Sequence, residues 1–373
     1  MWVQAAEAGK EEPCGEGSVL LRGTRDEKSV REIKAQLTRG AWDEISFCFA
    51  PLVVLWTALK LGFFSALAPS PQTAEELALA LGCSPRGVRM VLDCLAAMGL
   101  LRKGRSRYRL NRLSRTYFLP SSDDYAGNVV MVCEPTLRLW LGLPEAVRSG
   151  EPAASFLSGE EKNRFEAAIS DALFQVHRRQ AWKLVELLDR GRFSPRRVPR
   201  TRRVRVLDAA AGSAVWSIPF ALKHRGAEVV AVDLLPVLEV AKKYTRRFGV
   251  EARYQFVAAD LSEAELGKDD YDLVFLGHIC HSRGEGRSRE LIGKCFRALR
   301  KSGILLIMDF VADEERKSAL LPLLLAVHAL LGSREGDTFT FSQYKRWLLD
   351  AGFTGVRALR VPGHSPILLG LRG

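Results

Sequence analysis

The sequence lacks the pairings that would make its cysteines structural. Cys14, Cys48, Cys83, Cys94, Cys133, Cys280 and Cys295 are scattered, odd in number and never spaced as CxxC. That excludes a disulfide framework and a cysteine-rich zinc site, so no metal is expected and a reducing cytoplasm fits. The start, MWVQAAEAGKEEPCGEG, has no basic stretch followed by an apolar run, so no signal peptide is expected. Nor does any uninterrupted apolar run reach the ~20 residues of a membrane span. The most apolar stretch, residues 47–68, is broken by Pro51 and Lys60 and reads as a buried or interface helix. Acid is missing from one place in particular. From Arg190 to Arg205 there are eight arginines and no Asp or Glu, and they account for two thirds of the net charge of +12. The basic character is therefore largely one segment, and neither nucleic acid nor membrane is expected as a partner.

What remains is ordinary globular composition. With 373 residues, 47% of them hydrophobic and 26% charged, the chain can build a sizeable core and about two domains. Residues 1–28 are Gly- and charge-rich without periodicity and read as a loose tail. Residues 29–120 form a compact unit. Thr73 followed by Glu76 is a capping-box start, and Gly82 stops that helix. Ser84 before Pro85 starts a second helix, which ends at Gly99. LLRKGRSRYRLN then reads as two short strands around Gly104, giving the order of a winged helix. Its second helix carries Arg86 and Arg89 but is otherwise mostly apolar, which suits core and interface better than base reading. Residues 121–190 are a helical connector, with PTLRLWLGLPEAVRSG as one helical pattern, and residues 191–203 an arginine-rich linker.

From residue 204 to 373 strand and helix alternate. The strands VRVLDAA, EVVAVDL, RYQFVAAD, YDLVFLGH and SGILLIMDF have continuous apolar runs, as a parallel sheet covered on both faces requires. The first ends at Asp208 and opens a helix through the small-residue turn AAAGSA. The second ends in Asp233, at the spacing that holds ribose hydroxyls, and the third in Asp260. Three acids at three successive strand ends point to one crevice at the carboxyl edge of the sheet.

VLDAAAGSA, AVDLLPVLEVAKKY, FVAADL, YDLVFLGHICHS and ALKLGFFSAL resemble the class I S-adenosylmethionine-dependent O-methyltransferases with an N-terminal winged helix. That family includes plant caffeate and flavonoid enzymes, acetylserotonin methyltransferase and bacterial polyketide-tailoring enzymes. The resemblance covers about residues 35–373. It implies an α/β fold: a Rossmann-like seven-stranded methyltransferase domain with an antiparallel last hairpin, preceded by an all-helical winged-helix dimerisation domain that makes a homodimer. It implies S-adenosyl-L-methionine as cofactor, against Asp208, Gly212, Asp233, Leu234, Asp260, Leu261, Gly277 and His278. Asp233 would hold the ribose and Asp260-Leu261 would meet the adenine. The family's glycines two, four and six residues after the first acid are Ala210, Gly212 and Ala214 here, and the added methyls would crowd the cofactor.

The resemblance also implies methyl transfer to a hydroxyl of a small, largely apolar acceptor, aromatic or polyketide-like, with His281 as general base. His281 is followed by Ser282-Arg283 where the family has Asp-Trp, and His278 is a rival. Two acids would flank His281: Asp309, and either Glu335 or Asp337, of which Glu335 is carried forward as catalytic. Trp140, Phe174, His177, Trp182 and Phe339 are candidate lining residues. Two other functions fit the same residues. One is a cofactor-binding member of the fold that catalyses a different reaction. The other is a cofactor-sensing regulator that binds nucleic acid through the wing and the arginine block, revealed by salt-sensitive duplex binding.

Overall fold

The computed structural model describes residue 35 and residues 46–153, 159–189, 203–363 and 366–373. The expected tail and all of the expected linker except Arg203 lie outside the described residues. No described helix is long and apolar enough to cross a membrane.

The N-terminal unit follows its local signals. The helix Ala50–Lys60 carries Pro51 in its first turn and stops before Gly62, whose φ of 78° is left-handed. The helix Ala74–Leu81 has the full Thr73–Glu76 capping box and ends at Gly82, φ 63°. The helix Pro85–Ala97 buries Val88, Leu92 and Leu95, three and four residues apart, against Phe63, Phe64 and Leu77. Strand β1 (Leu101–Gly104) pairs antiparallel with β2 (Arg107–Leu110), and Gln72 bridges Tyr108 on its other side. The unit is therefore not all-helical; its wing is sheet. The wing turns at Arg105, φ 55°, rather than at Gly104. Two of its cations pair with acids of the preceding helices. Arg107 forks onto Glu76, and Lys103 and Arg89 pair with Asp93.

The single helix expected over 135–150 is two, Cys133–Leu141 and Leu143–Ser149. At the joint, a Cβ on Gly142 would stand 2.6 Å from that of Ala153, so close packing requires the glycine. The long helix Gly159–Asp189 buries Phe174, His177, Ala181 and Leu184, one stripe at helical spacing.

That stripe lies on a seven-stranded sheet made of β3 (Val204–Ala209), β4 (Ala227–Asp233), β5 (Tyr254–Ala258), β6 (Tyr271–Gly277), β7 (Leu299–Met308), β10 (Phe353–Leu359) and β11 (Ile367–Arg372). A two-residue parallel pair, β8 (Val311–Ala312) with β9 (Phe339–Thr340), closes a loop outside it. The sheet order is β10-β11-β7-β6-β3-β4-β5, and β11 alone runs against its neighbours. Helices Gly159–Asp189, Ser217–Lys223 and Leu235–Arg247 cover one face, and Cys280–Ala298 and Phe341–Asp350 the other. From β3 the chain goes outward to β4 and β5, then returns to lay β6 on the other side. The reversal opens a crevice at the carboxyl ends of these strands.

Candidate active site

The turn after β3 is the floor of that crevice. Ala210, Gly212 and Ala214 have φ of 59°, 56° and 57°, so all three adopt the left-handed conformation that glycine adopts most easily. The two alanines hold this conformation at a steric cost of ~1–2 kcal/mol each. Beneath it, Asp208 is 1% exposed and accepts a hydrogen bond from Ser217 Oγ, which in turn accepts one from Tyr254 Oη at 3.1 Å. Asp208 thus supports the turn from below rather than lining the crevice. Burial pushes its carboxyl up to about 7.

Asp233, at the end of β4, ties the turn to the next strand. Its Oδ2 accepts from Gly212 N at 2.8 Å and its Oδ1 from Leu234 N at 2.7 Å. Burial outweighs these two bonds and pushes the group up to about 6. Asp260 behaves oppositely. Ser262 Oγ and N donate to its Oδ1, Arg283 adds a third bond at 3.1 Å, and the carboxyl is held down at about 2. All three described bonds end on Oδ1. Glu166, from the long helix, is close enough to feel both Asp260 and Arg283, and burial raises its carboxyl. Helical patterning gave no sign that Glu166 lies within electrostatic reach of Asp260.

At the ends of β6 and β7 stand the histidines. His281 Nδ1 is 2.7 Å from Asp309 Oδ1, and its backbone N donates to Asp309 Oδ2 at 3.1 Å. Asp309 also accepts from Phe310 N at 2.8 Å and Tyr344 Oη at 3.2 Å. Burial alone would lower the imidazole's proton affinity, but the Asp309 charge and hydrogen bond prevail and raise it above its ordinary value. Glu335 is not brought to the ring. Its carboxylate lies 3.9 Å from Arg287, and its backbone packs on Gly284, φ 74°, where a Cβ would meet it at 2.6 Å. Asp337 touches His281 through the main chain, N to O at 2.9 Å, while its side chain receives Arg316.

His278 occupies a different place. It has φ 51° and stacks on His177 at 4.1 Å, with Phe310 and Trp216 around the pair. Trp216 lies over Gly277, where a Cβ would stand 2.9 Å from the indole. Among the described residues no cluster could hold a metal ion.

An S-adenosylmethionine suits this crevice on the geometry alone. The backbone at Gly212 is open, with only Ser170 Oγ, at 3.9 Å, near the place of a Cβ. Asp233 accepts from the Gly212 backbone N, and Asp260 and the buried Leu261 follow the neighbouring strand β5.

Comparison with known proteins settles the family. Residues 44–120 match the model of an O-methyltransferase dimerisation domain, and residues 200–354 that of an O-methyltransferase domain. The chain belongs to the S-adenosylmethionine-dependent O-methyltransferases. It is 28% identical over 326 residues to a 3-hydroxy-5-methyl-1-naphthoate 3-O-methyltransferase of Streptomyces sahachiroi, covering 85% of this chain and 91% of the relative. It is 29% identical over 340 residues to the tetracenomycin polyketide synthesis 8-O-methyl transferase of Streptomyces glaucescens, covering 89% and 97%. In fold it is similar to human N-acetylserotonin methyltransferase in complex with its methyl donor, with a TM-score of 0.75 at 22% identity, over 90% of this chain and 98% of that one.

In this O-methyltransferase the aromatics named as candidate lining divide. Trp140 stacks on His328 at 6.2 Å, and burial together with the His281 charge lowers the proton affinity of His328. His177 meets His278 as described. Trp182 is half-buried. Phe174 and Phe339 are core instead. Phe174 lies flat on Tyr244 at 3.7 Å, and Phe339 meets Trp347 edge-on at 4.7 Å. Both were candidate lining residues, and their partners place them in the core.

Proposed function

We propose that this O-methyltransferase acts on a hydroxyl of a small, largely apolar acceptor, aromatic or polyketide-like, with His281 as general base. The observation that carries the reading is the His281–Asp309 pair beside the crevice. S-adenosylmethionine supplies an electrophilic methyl group on a sulfonium. Gly212, Asp233, Leu234, Asp260, Leu261 and Gly277 are the residues that would hold it, with Asp208 bracing the turn.

With Nδ1 engaged by Asp309, the imidazole presents Nε2 to the acceptor. Nε2 takes the hydroxyl proton, and Asp309 stabilises the imidazolium that results. Most of the acceleration comes from holding the reactants together, an effect worth up to about 7–11 kcal/mol. Glu335 has no part in this reading, because its carboxylate faces Arg287. The names of the naphthoate and tetracenomycin relatives support an aromatic acceptor. The dimerisation-domain match supports a homodimer. Buried free thiols at Cys133, Cys280 and Cys295 fit a reducing cytoplasm.

The test is a panel of hydroxylated aromatics incubated with the cofactor and read by mass spectrometry for one added methyl. His281→Ala should bind cofactor as the wild type does and lose about 10²–10⁴ in kcat. Full activity in His281→Ala would remove the base assignment. Turnover of the cofactor without any methylated product would favour a different reaction on this fold.

A further inference from the structure

We propose that Lys294, a buried cation far along the helix from His281, is a positioning residue for the cofactor. It acts by clamping the turn that presents Asp260 and Leu261. This rests on the reading that those two residues meet the cofactor.

Lys294 is 9% exposed, a rare place for an ammonium. Its Nζ donates to Ser262 O at 2.7 Å, to Leu261 O at 3.3 Å and to Ala264 O at 3.3 Å. An ammonium has three N–H groups, and here three carbonyls receive them. The nearest described carboxylate is Glu290, at 3.7 Å. The charge is thus spent on backbone oxygens.

The shape of the turn explains why those oxygens need a partner. Ser262 N and Oγ fold back onto Asp260 Oδ1, and Glu263 N and Ala264 N onto Asp260 O at 3.0 and 2.8 Å. The donors of the turn face inward to Asp260, and the carbonyls of Leu261, Ser262 and Ala264 are aimed at the helix Cys280–Ala298. Among the described residues no backbone N–H of a strand or helix donates to them, and unpaired buried carbonyls are costly. Lys294 satisfies all three at once, through charge-assisted bonds.

The short segment before Gly284 holds the turn a second time. Arg283, within it, donates to Asp260 Oδ1 at 3.1 Å. It also carries His281. The helix is broken at Gly284, φ 74° and ψ 175°, so His281 and Arg283 stand before the break and Lys294 after it, and the two cations hold the end of β5 from separate turns. Removing the inner clamp should loosen Asp260 and Leu261 while leaving His281 on Asp309.

The experiment uses the full chain and S-adenosylmethionine as the probe. Lys294→Met keeps the length of the stem and removes the ammonium. Its dissociation constant for S-adenosylmethionine, by calorimetry, should rise about ten-fold or more, as loss of positioned carbonyls predicts. At saturating cofactor, the acceptor KM and the pH profile of kcat should stay within about two-fold of wild type. Lys294→Gln retains donors in the same place and should recover part of the affinity. It also serves as the readable variant if Lys294→Met does not fold. A folded Lys294→Met, or failing that Lys294→Gln, that binds the cofactor as tightly as the wild type overturns the proposal. So does a variant whose acceptor KM and pH profile shift as much as its cofactor affinity, because the damage is then general. Asp260→Asn runs in parallel. Unchanged affinity there removes Asp260 from the cofactor's ligands, and the Lys294 result still decides whether the clamped turn matters.

Discussion

Asp309 grips His281 at two points, the ring Nδ1 with one carboxylate oxygen at 2.7 Å and the backbone N with the other at 3.1 Å. The ring and the main chain of the base are therefore referred to one acid at the end of β7. That acid is held in turn by Phe310 N and Tyr344 Oη. A base fixed in this way spends little entropy on reaching its proton.

The pH dependence of methylation follows. Asp309 raises the proton affinity of His281 above the ordinary 6.5, and only the neutral ring is a base. Activity should therefore rise as pH climbs through a value above 6.5. In Asp309→Asn the raising charge is gone and burial remains, so the acid limb should move to lower pH while the plateau falls about 10²-fold or more. A pH–rate series on both proteins checks it, and an unmoved limb would mean that His281 is not the titrating group.

Asp208 should make stability fall with rising pH. Its carboxyl sits at about 7 in the folded chain against an ordinary 3.8, because burial disfavours its charge. Between those values the folded state holds a proton that the unfolded state has lost, so each step up in pH costs stability until the window closes above 7. Asp208→Asn removes this slope and can still accept from Ser217. Relative to wild type, the variant should gain on the order of a few kcal/mol between pH 5 and pH 8. Urea midpoints at the two pH values measure the difference.

The strand ends were legible from the chain because apolar runs punctuated by acids have one reading. Asp233 ends β4, Asp208 is next to last in β3, and Asp260 lies two residues past the end of β5. Their environments were not legible. Asp208 is buried under Ser217, Asp233 is tied to the turn, and Asp260 is charged and paired, yet all three look alike in sequence. The same limit explains Glu335. The family resemblance offered it as a partner for His281, but its backbone packs closely on Gly284 and its carboxylate lies toward Arg287. Lys294, Glu166 and Trp216 carry no motif at all. Each matters only through contacts made across the fold.

The alanines of the cofactor turn give a stability test with a split outcome. Ala210 and Ala214 share the left-handed backbone at φ 59° and 57°. Glycine removes that strain but adds freedom to the unfolded chain, so the net gain is about 1 kcal/mol or less. At the half-buried Ala210 the gain should appear. At Ala214, 0% exposed, losing a packed methyl of about 1 kcal/mol should cancel it. Denaturant midpoints of the two single variants check this, and equal shifts would remove the backbone account.

The contact between Gly277 and Trp216 allows a paired test of the crevice wall. A Cβ on Gly277 would stand 2.9 Å from Trp216 Cδ1 and 3.1 Å from Nε1, and the indole is 3% exposed with little room to retreat. Gly277→Ala should therefore displace the ring and cost about 1–3 kcal/mol, the usual penalty of overpacking. The displaced ring would also weaken cofactor binding, because β6 ends at the crevice. Trp216→Leu opens a space and should be destabilising by itself. If the two residues act through this contact, the double variant should be more stable than the sum of the single effects predicts, by about 0.5–3 kcal/mol. Unfolding free energies for the four proteins of the cycle supply the coupling. Strict additivity would mean that the backbone at Gly277, and not the indole, is what forbids a side chain there.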